Sequence, residues 1–138
     1  MEALDIKGDD INPSIHLNHL ENKFSITGES RPENPLKYFD STFKWFNDYF
    51  NYIYILNDLE NSKIQISKKL TIDLEYFNST SAKVLFDLFL LLKNVGKEKF
   101  KVTFEIDWFY HAEDSDMLDA GKEMETMCGL KFNYHSKK

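Results

Sequence analysis

The sequence predicts an α/β fold, a mixed β-sheet with helices packed against it. Three observations predict it. Over several short stretches apolar residues take every second position, most plainly at 100–110, with Phe100, Val102, Phe104, Ile106, Trp108 and Tyr110 on one face. Over other stretches they recur three and four apart. The two kinds follow one another as β-β-β-α-β-α-β-α-β, the order of strands and helices sharing one sheet. With 138 residues and no repeat, low-complexity tract or linker, the chain reads as a single domain over 1–138.

The elements follow in order. Short strands are expected at 4–6 and 14–17, with Pro13 in the turn between them. "KFSITGES" alternates with Phe24 and Ile26 on one face, and Gly28 closes it. At "NPLKYFDSTFKWFNDYF" the period changes. Leu36, Phe39, Phe43, Phe46 and Phe50 fall at helical spacing, with Asn34 as N-cap and Pro35 at N1, so one helix is expected over 35–52. "LNDLENSK" reads as a polar connection. In "SKKLTIDLEYF", Leu70, Ile72, Leu74 and Tyr76 share one face, and Thr71, Asp73, Glu75 and Phe77 the other. The helix expected over 80–94 is apolar almost all round and therefore largely buried, with Gly96 at its C′ position. After the strand at 100–110 comes a last helix over 115–127, ended by Gly129, and "LKFNYHS" supplies an edge strand. Strand, helix, strand from 70 to 110 predicts a right-handed connection between parallel strands.

Composition narrows the function. A formal charge of −6 argues against general nucleic-acid binding, which needs a basic face. Aromatics at 15% make an aromatic core and leave aromatic surface for a partner. The lone Cys128 allows no intrachain disulfide and no Cys-rich zinc site, and reads as a small buried apolar residue. "MEALDIKGDD" has neither the basic nor the apolar region of a signal peptide. The longest apolar run, 84–92, is broken by Asp87 and too short to span a bilayer, so no membrane insertion is expected and a cytoplasmic location is the default.

Enzyme signatures are missing: no phosphate-binding glycine loop, no dinucleotide fingerprint, no nucleophile elbow. His16 and His19 stand three apart without a third ligand, and His111 and His135 have no motif spacing; all four read as surface histidines. Glu113, Asp114, Asp116 and Asp119 form an acidic cluster that Mg²⁺ could use. Their spacing is not that of a calcium loop, and acids at a helix N-terminus offset its dipole, so no metal and no cofactor is expected.

The stretch "NSTSAK" at 78–83 is less easily explained. One hydroxyl caps a helix, for about 1 kcal/mol; here three stand in a row. With Ser79, Thr80 or Ser81 as cap, the N3 residue is Ala82, Lys83 or Val84, none of which completes a capping box. The first turn holds no carboxylate, and Lys83 has the wrong sign for the dipole and the right sign for an anion. The junction reads as a helix start open to negative charge, from a bound phosphate or from a phosphoryl group on a hydroxyl itself. Parallel strands on either side put this junction and the loop 111–116 at the same sheet edge, where α/β folds place function.

"PEN" at 32–34, "LEYFNSTSAK" at 74–83, "WFYHAEDSDMLDAG" at 108–121 and the opening "MEALDIKGDDINPSI" together resemble the SiaC family of bacterial regulatory phosphoproteins, over nearly the whole chain. The resemblance implies a STAS-like α/β domain, similar to anti-sigma-factor antagonists, without catalytic activity. It implies reversible phosphorylation in the hydroxyl segment by a dedicated Ser/Thr protein kinase and removal by a PP2C-type phosphatase. It further implies that the unmodified form binds and activates a diguanylate cyclase in cyclic-di-GMP signalling. The family's acceptor is usually a threonine directly after the asparagine. Here Ser79 holds that position and Thr80 that residue type, so both are candidates, Ser79 first. The partner-binding patch is expected to comprise Phe77, Asn78, Ser81, Lys83, Asp114 and Asp116. Two other readings remain open: a small-ligand or phosphate-binding enzyme using the helix N-terminus and the acidic loop, and a regulator of the anti-sigma-factor-antagonist kind.

Overall fold

The computed structural model describes residues 1–59, 66–95 and 102–138. Ten elements follow one another: β1 (Leu4–Ile6), β2 (Ser14–Asn18), β3 (Lys23–Ser30), α1 (Pro35–Tyr38), α2 (Asp40–Leu59), β4 (Ile66–Phe77), α3 (Ser79–Val95), β5 (Val102–His111), α4 (Ser115–Cys128) and β6 (Phe132–Lys137). The strands form one mixed sheet in sequence order. β1, β2 and β3 pair antiparallel, a meander joined by short turns. β3, β4, β5 and β6 pair parallel, and each of the three connections between them is a crossover that carries a helix.

The helices cover one face of the sheet. Ile15, Leu17, Phe24, Ile26, Leu70, Ile72, Val102, Phe104, Ile106 and Trp108 point into it from the strands and are almost wholly buried. Phe46 and Phe50 of α2 set their rings against Phe104, and Phe46 also meets Phe24. From α3, Leu85, Leu88, Phe89 and Leu92 complete the same core. The opposite sheet face is polar. Lys137 pairs there with Asp73 and Glu75, and Asn133 donates to Glu105 and Asp107.

The parallel β4–α3–β5 unit and the strands at both ends are as the periodicities predict. Three local expectations are corrected. The single helix over 35–52 is two helices, interrupted at Phe39, whose φ of −88° and ψ of 0° leave the helical range. The break turns Phe39 into the core at 1% exposure and throws Leu36 out of the apolar stripe, to 69%. The second helix runs on to Leu59, so the first half of the expected polar connection is helical; its remainder, 60–63, lies outside the described residues.

Tyr76 does not share the face of Leu74. β4 pairs with β3 through Leu74↔Gly28 and then Tyr76↔Glu29, so Glu75 is an extra residue. Such a bulge reverses the alternation beyond it. Tyr76 is therefore 49% exposed, while Phe77 packs edge-on against Trp108. β5 starts at Val102; Phe100, like Gly96, lies outside the described residues.

Candidate partner-binding site at the α3 N-terminus

The bulge delivers the chain from β4 into α3 at a fixed point. Asn78 N–H donates to the Ser30 carbonyl at the end of β3 (3.1 Å). Its Oδ1 accepts from the backbone N–H of Ser81 (2.9 Å), and its carbonyl accepts from Ala82 N–H (2.9 Å). Asn78 is thus the N-cap, not one of the three hydroxyl residues, and asparagine is among the best residues for that position. Ser79, Thr80 and Ser81 become the first three residues of the helix.

Their fates differ because a helix turns about 100° per residue. Ser81 faces inward, is 0% exposed, and its Oγ accepts from the equally buried Ser30 Oγ at 2.9 Å. It ties α3 to β3 and cannot meet a partner, which removes it from the expected binding patch. Thr80 is exposed, and its Oγ1 donates to Asn78 Oδ1 (3.1 Å). Ser79 is exposed too. With the cap spent on Ser81, the N–H groups of Ser79 and Thr80 are the two at this helix start that face outward for water or an anion. No carboxylate stands in the first turn.

The neighbour of this turn is not the one the sequence suggested. Thr80, Lys83, Val84 and Asp87 form one wall of a groove of about 220 Å³; the segment Glu33–Leu36 forms the other. Since β3 runs parallel to β4, the residues after Ser30 emerge at the same edge as Asn78. The parallel pairing of β3 is the signal that finds this wall, and no short motif carries it. Lys83 lies 3.6 Å from Asp87 one turn on, an exposed ion pair on the groove wall.

Phe77 is half-buried against Trp108, so only part of its ring reaches the surface. β4 and β5 are parallel neighbours, so the acidic loop does share this sheet edge. Asp114 is occupied there as N-cap of α4, accepting from Met117 N–H at 3.0 Å; Asp116 is exposed in the first turn. Among the described residues no three His, Cys, Asp or Glu side chains converge as metal ligands. Each histidine has company. His111 meets Glu75 at 2.6 Å, His135 stacks on Phe109 and meets Asp107, His16 lies between Asp5 and Glu21, and His19 packs on Tyr49 and Tyr52. The His111 hydrogen bond is the first cause holding the Glu75 carboxyl below the usual glutamate range. Cys128 is buried, and burial pushes its thiol pKa up, away from reactivity. Among the described residues no helix is long and apolar enough to cross a membrane.

A family model described as "SiaC family regulatory phosphoprotein" matches residues 6–137. Among solved structures, apo-SiaC from Pseudomonas aeruginosa superposes with a TM-score of 0.77 at 22% identity, over 99% of this chain and 100% of that one. A chain in the crystal structure of the diguanylate cyclase SiaD in complex with its activator SiaC, also from Pseudomonas aeruginosa, gives 0.78 at 22% identity, over 97% and 99%. At that identity these likenesses establish the fold. No curated protein matches the sequence.

Proposed function

The chain belongs to the SiaC family of regulatory phosphoproteins, and from that premise we propose that it is a phosphorylation-switched activator of a diguanylate cyclase. Its role is regulatory and not enzymatic, as the family's is. A SiaC protein of Pseudomonas aeruginosa with this fold forms a complex with, and activates, such a cyclase. The proposal carries that partner over to this chain, together with a Ser/Thr kinase and a PP2C-type phosphatase that set the phosphorylation state.

The observation that carries the switch is the division of labour at 78–81. Asn78 caps the helix and Ser81 is locked inside, which leaves Ser79 and Thr80 exposed, Thr80 with only a surface hydrogen bond to Asn78 for a phosphate to displace. Ser79 is the first candidate acceptor because its hydroxyl makes no hydrogen bond among the described residues; Thr80 is the second, its hydroxyl held by Asn78. A phosphate here adds about −1.5 to −2 charges beside outward N–H groups, which tolerate it. The fold survives and the surface changes. The two groove walls already carry Asp87 and Glu33, and Lys83 is shared with Asp87 at 3.6 Å. A partner fitted to the neutral form meets uncompensated charge, and like-charge juxtaposition costs several kcal/mol.

The test measures binding of the cyclase to the unmodified and the phosphorylated protein side by side. A fall of at least ~100-fold on phosphorylation supports the switch, since each factor of ten is 1.4 kcal/mol. Equal affinity removes it.

A further inference from the structure

β-bulges re-aim side chains, often beside functional sites, and the bulge in β4 stands just ahead of the α3 N-terminus. Unbroken alternation through Leu70, Ile72 and Leu74 would bury Tyr76 and expose Phe77. The extra residue Glu75 gives the opposite result. Phe77 packs on Trp108, and Tyr76 stands 49% exposed. Among the described residues the Tyr76 hydroxyl makes no hydrogen bond and its ring meets no other aromatic ring.

The bulge is pinned from the neighbouring strands. Glu75 accepts from His111 Nε2 at the end of β5 (2.6 Å) and from Lys137 Nζ on β6 (3.3 Å). On the other side of Tyr76 lies its register partner in β3, Glu29, which pairs with Arg31 (3.2 Å). Both carboxylates beside Tyr76 thus have partners within the chain, so covering the ring strands neither of them. A tyrosine ringed by satisfied polar groups is the make-up of an interface hot spot.

Tyr76 also stands next to the switch. It precedes Ser79 by three residues, a span of at most about 10 Å along an extended chain. Ile11, 40% exposed, is held at the same sheet edge by the bond from Arg31 N–H to its carbonyl (2.8 Å), and Leu36 is exposed on the groove wall. A partner that a phosphate on Ser79 displaces must cover the ground around Ser79, and Tyr76 is the largest exposed apolar side chain there.

We propose that Tyr76 is an anchor of the surface that receives the diguanylate cyclase, its ring covered by an apolar contact and its hydroxyl bonded to the partner. This rests on the switch proposed above and adds a contact residue outside the hydroxyl segment.

The test measures the affinity of the full, unphosphorylated chain for the diguanylate cyclase of its own cells, for the parent, Tyr76→Ala, Tyr76→Phe and Met127→Ala. Met127 is 68% exposed near the end of α4, about 18 Å along that helix from the switch edge, so Met127→Ala should change nothing. Tyr76→Ala should weaken binding at least tenfold and leave the urea midpoint at the parent's value, as fits an exposed position. Tyr76→Phe as tight as the parent supports the anchor and assigns it to the ring; Tyr76→Phe as weak as Tyr76→Ala supports it and assigns it to the hydroxyl. The proposal is overturned, and the switch left standing, if Tyr76→Ala binds as tightly as the parent while phosphorylation still weakens binding. It is overturned equally if Met127→Ala loses as much as Tyr76→Ala, or if the loss in Tyr76→Ala comes with a lowered urea midpoint. A parent chain that does not bind the cyclase overturns the switch and this inference together.

Discussion

Removing the Ser81 hydroxyl separates the structural member of the hydroxyl trio from the regulatory ones. In Ser81→Ala the buried Ser30 Oγ loses the acceptor it reaches at 2.9 Å. Both residues are 0% exposed, so water does not replace that bond. An orphaned buried hydroxyl costs about 1–3 kcal/mol. The gain in helix propensity from serine to alanine offsets only a fraction, since ordinary residues span about 0.7 kcal/mol. Ser79→Ala removes no bond, and Thr80→Ala removes only an exposed one to Asn78, so each should stay within about 0.5 kcal/mol of the parent. Removing both partners is gentler than removing one, because no polar group is left stranded. The double variant Ser30→Ala/Ser81→Ala should therefore lie well below the sum of the single costs, with a coupling of about 0.5–3 kcal/mol. Urea melts of the parent, the three single alanine variants at 79–81, Ser30→Ala and the double variant supply every number. Ser81→Ala within 0.5 kcal/mol of the parent, or a double variant equal to the sum, would refute the buried bond and return Ser81 to the expected binding patch.

Other consequences can be checked on the same material. Ser79→Ala should retain cyclase binding and lose regulation, and intact mass of protein from its own cells should show one phosphoryl group mapping to 74–83; loss of that group only in Thr80→Ala moves the acceptor by one residue. Gly121→Ala places a Cβ 2.7 Å from the indole Nε1 of Trp108, a ring held by its bond to the Met117 carbonyl, so overpacking of about 1–3 kcal/mol should outweigh the ~1 kcal/mol helix gain. A melt showing Gly121→Ala more stable than the parent contradicts that contact. Phe46→Ala, at 0% exposure, should cost about 3–5 kcal/mol, and Phe43→Ala clearly less because Phe43 is only partly buried; the reverse order would misplace the α2 stripe. The Glu75 carboxyl has a lowered folded pKa, so its contribution is present above the unfolded value of about 4.3 and is lost as pH falls through the folded one. Glu75→Gln should flatten the fall of the urea midpoint below about pH 5, and an unchanged acid limb would count against the His111 contact.

Local sequence was enough to place the elements and most of their ends. Alternation set β4 and β5, because successive side chains on a strand point to opposite faces whatever surrounds them. Asn34 and Gly129 marked helix boundaries, because a cap bonds within three residues and a left-handed C′ position favours glycine. The hydroxyl run was visible as an anomaly. Which hydroxyl does what was not, because Ser79, Thr80 and Ser81 look alike until something fixes the rotation of α3 about its axis. Ser30, 51 residues away in sequence, fixes it, and Ser30 is there only because β3 pairs parallel with β4. The same pairing raises the Glu33–Leu36 wall beside Thr80 and forces the bulge at Glu75 that turns Tyr76 out and Phe77 in. Local periodicity follows from backbone geometry over a few bonds. The phase of a helix against a sheet, and a bulge within a strand, are settled by the fit between surfaces that meet only after the chain has closed, and the tertiary structure alone decides them.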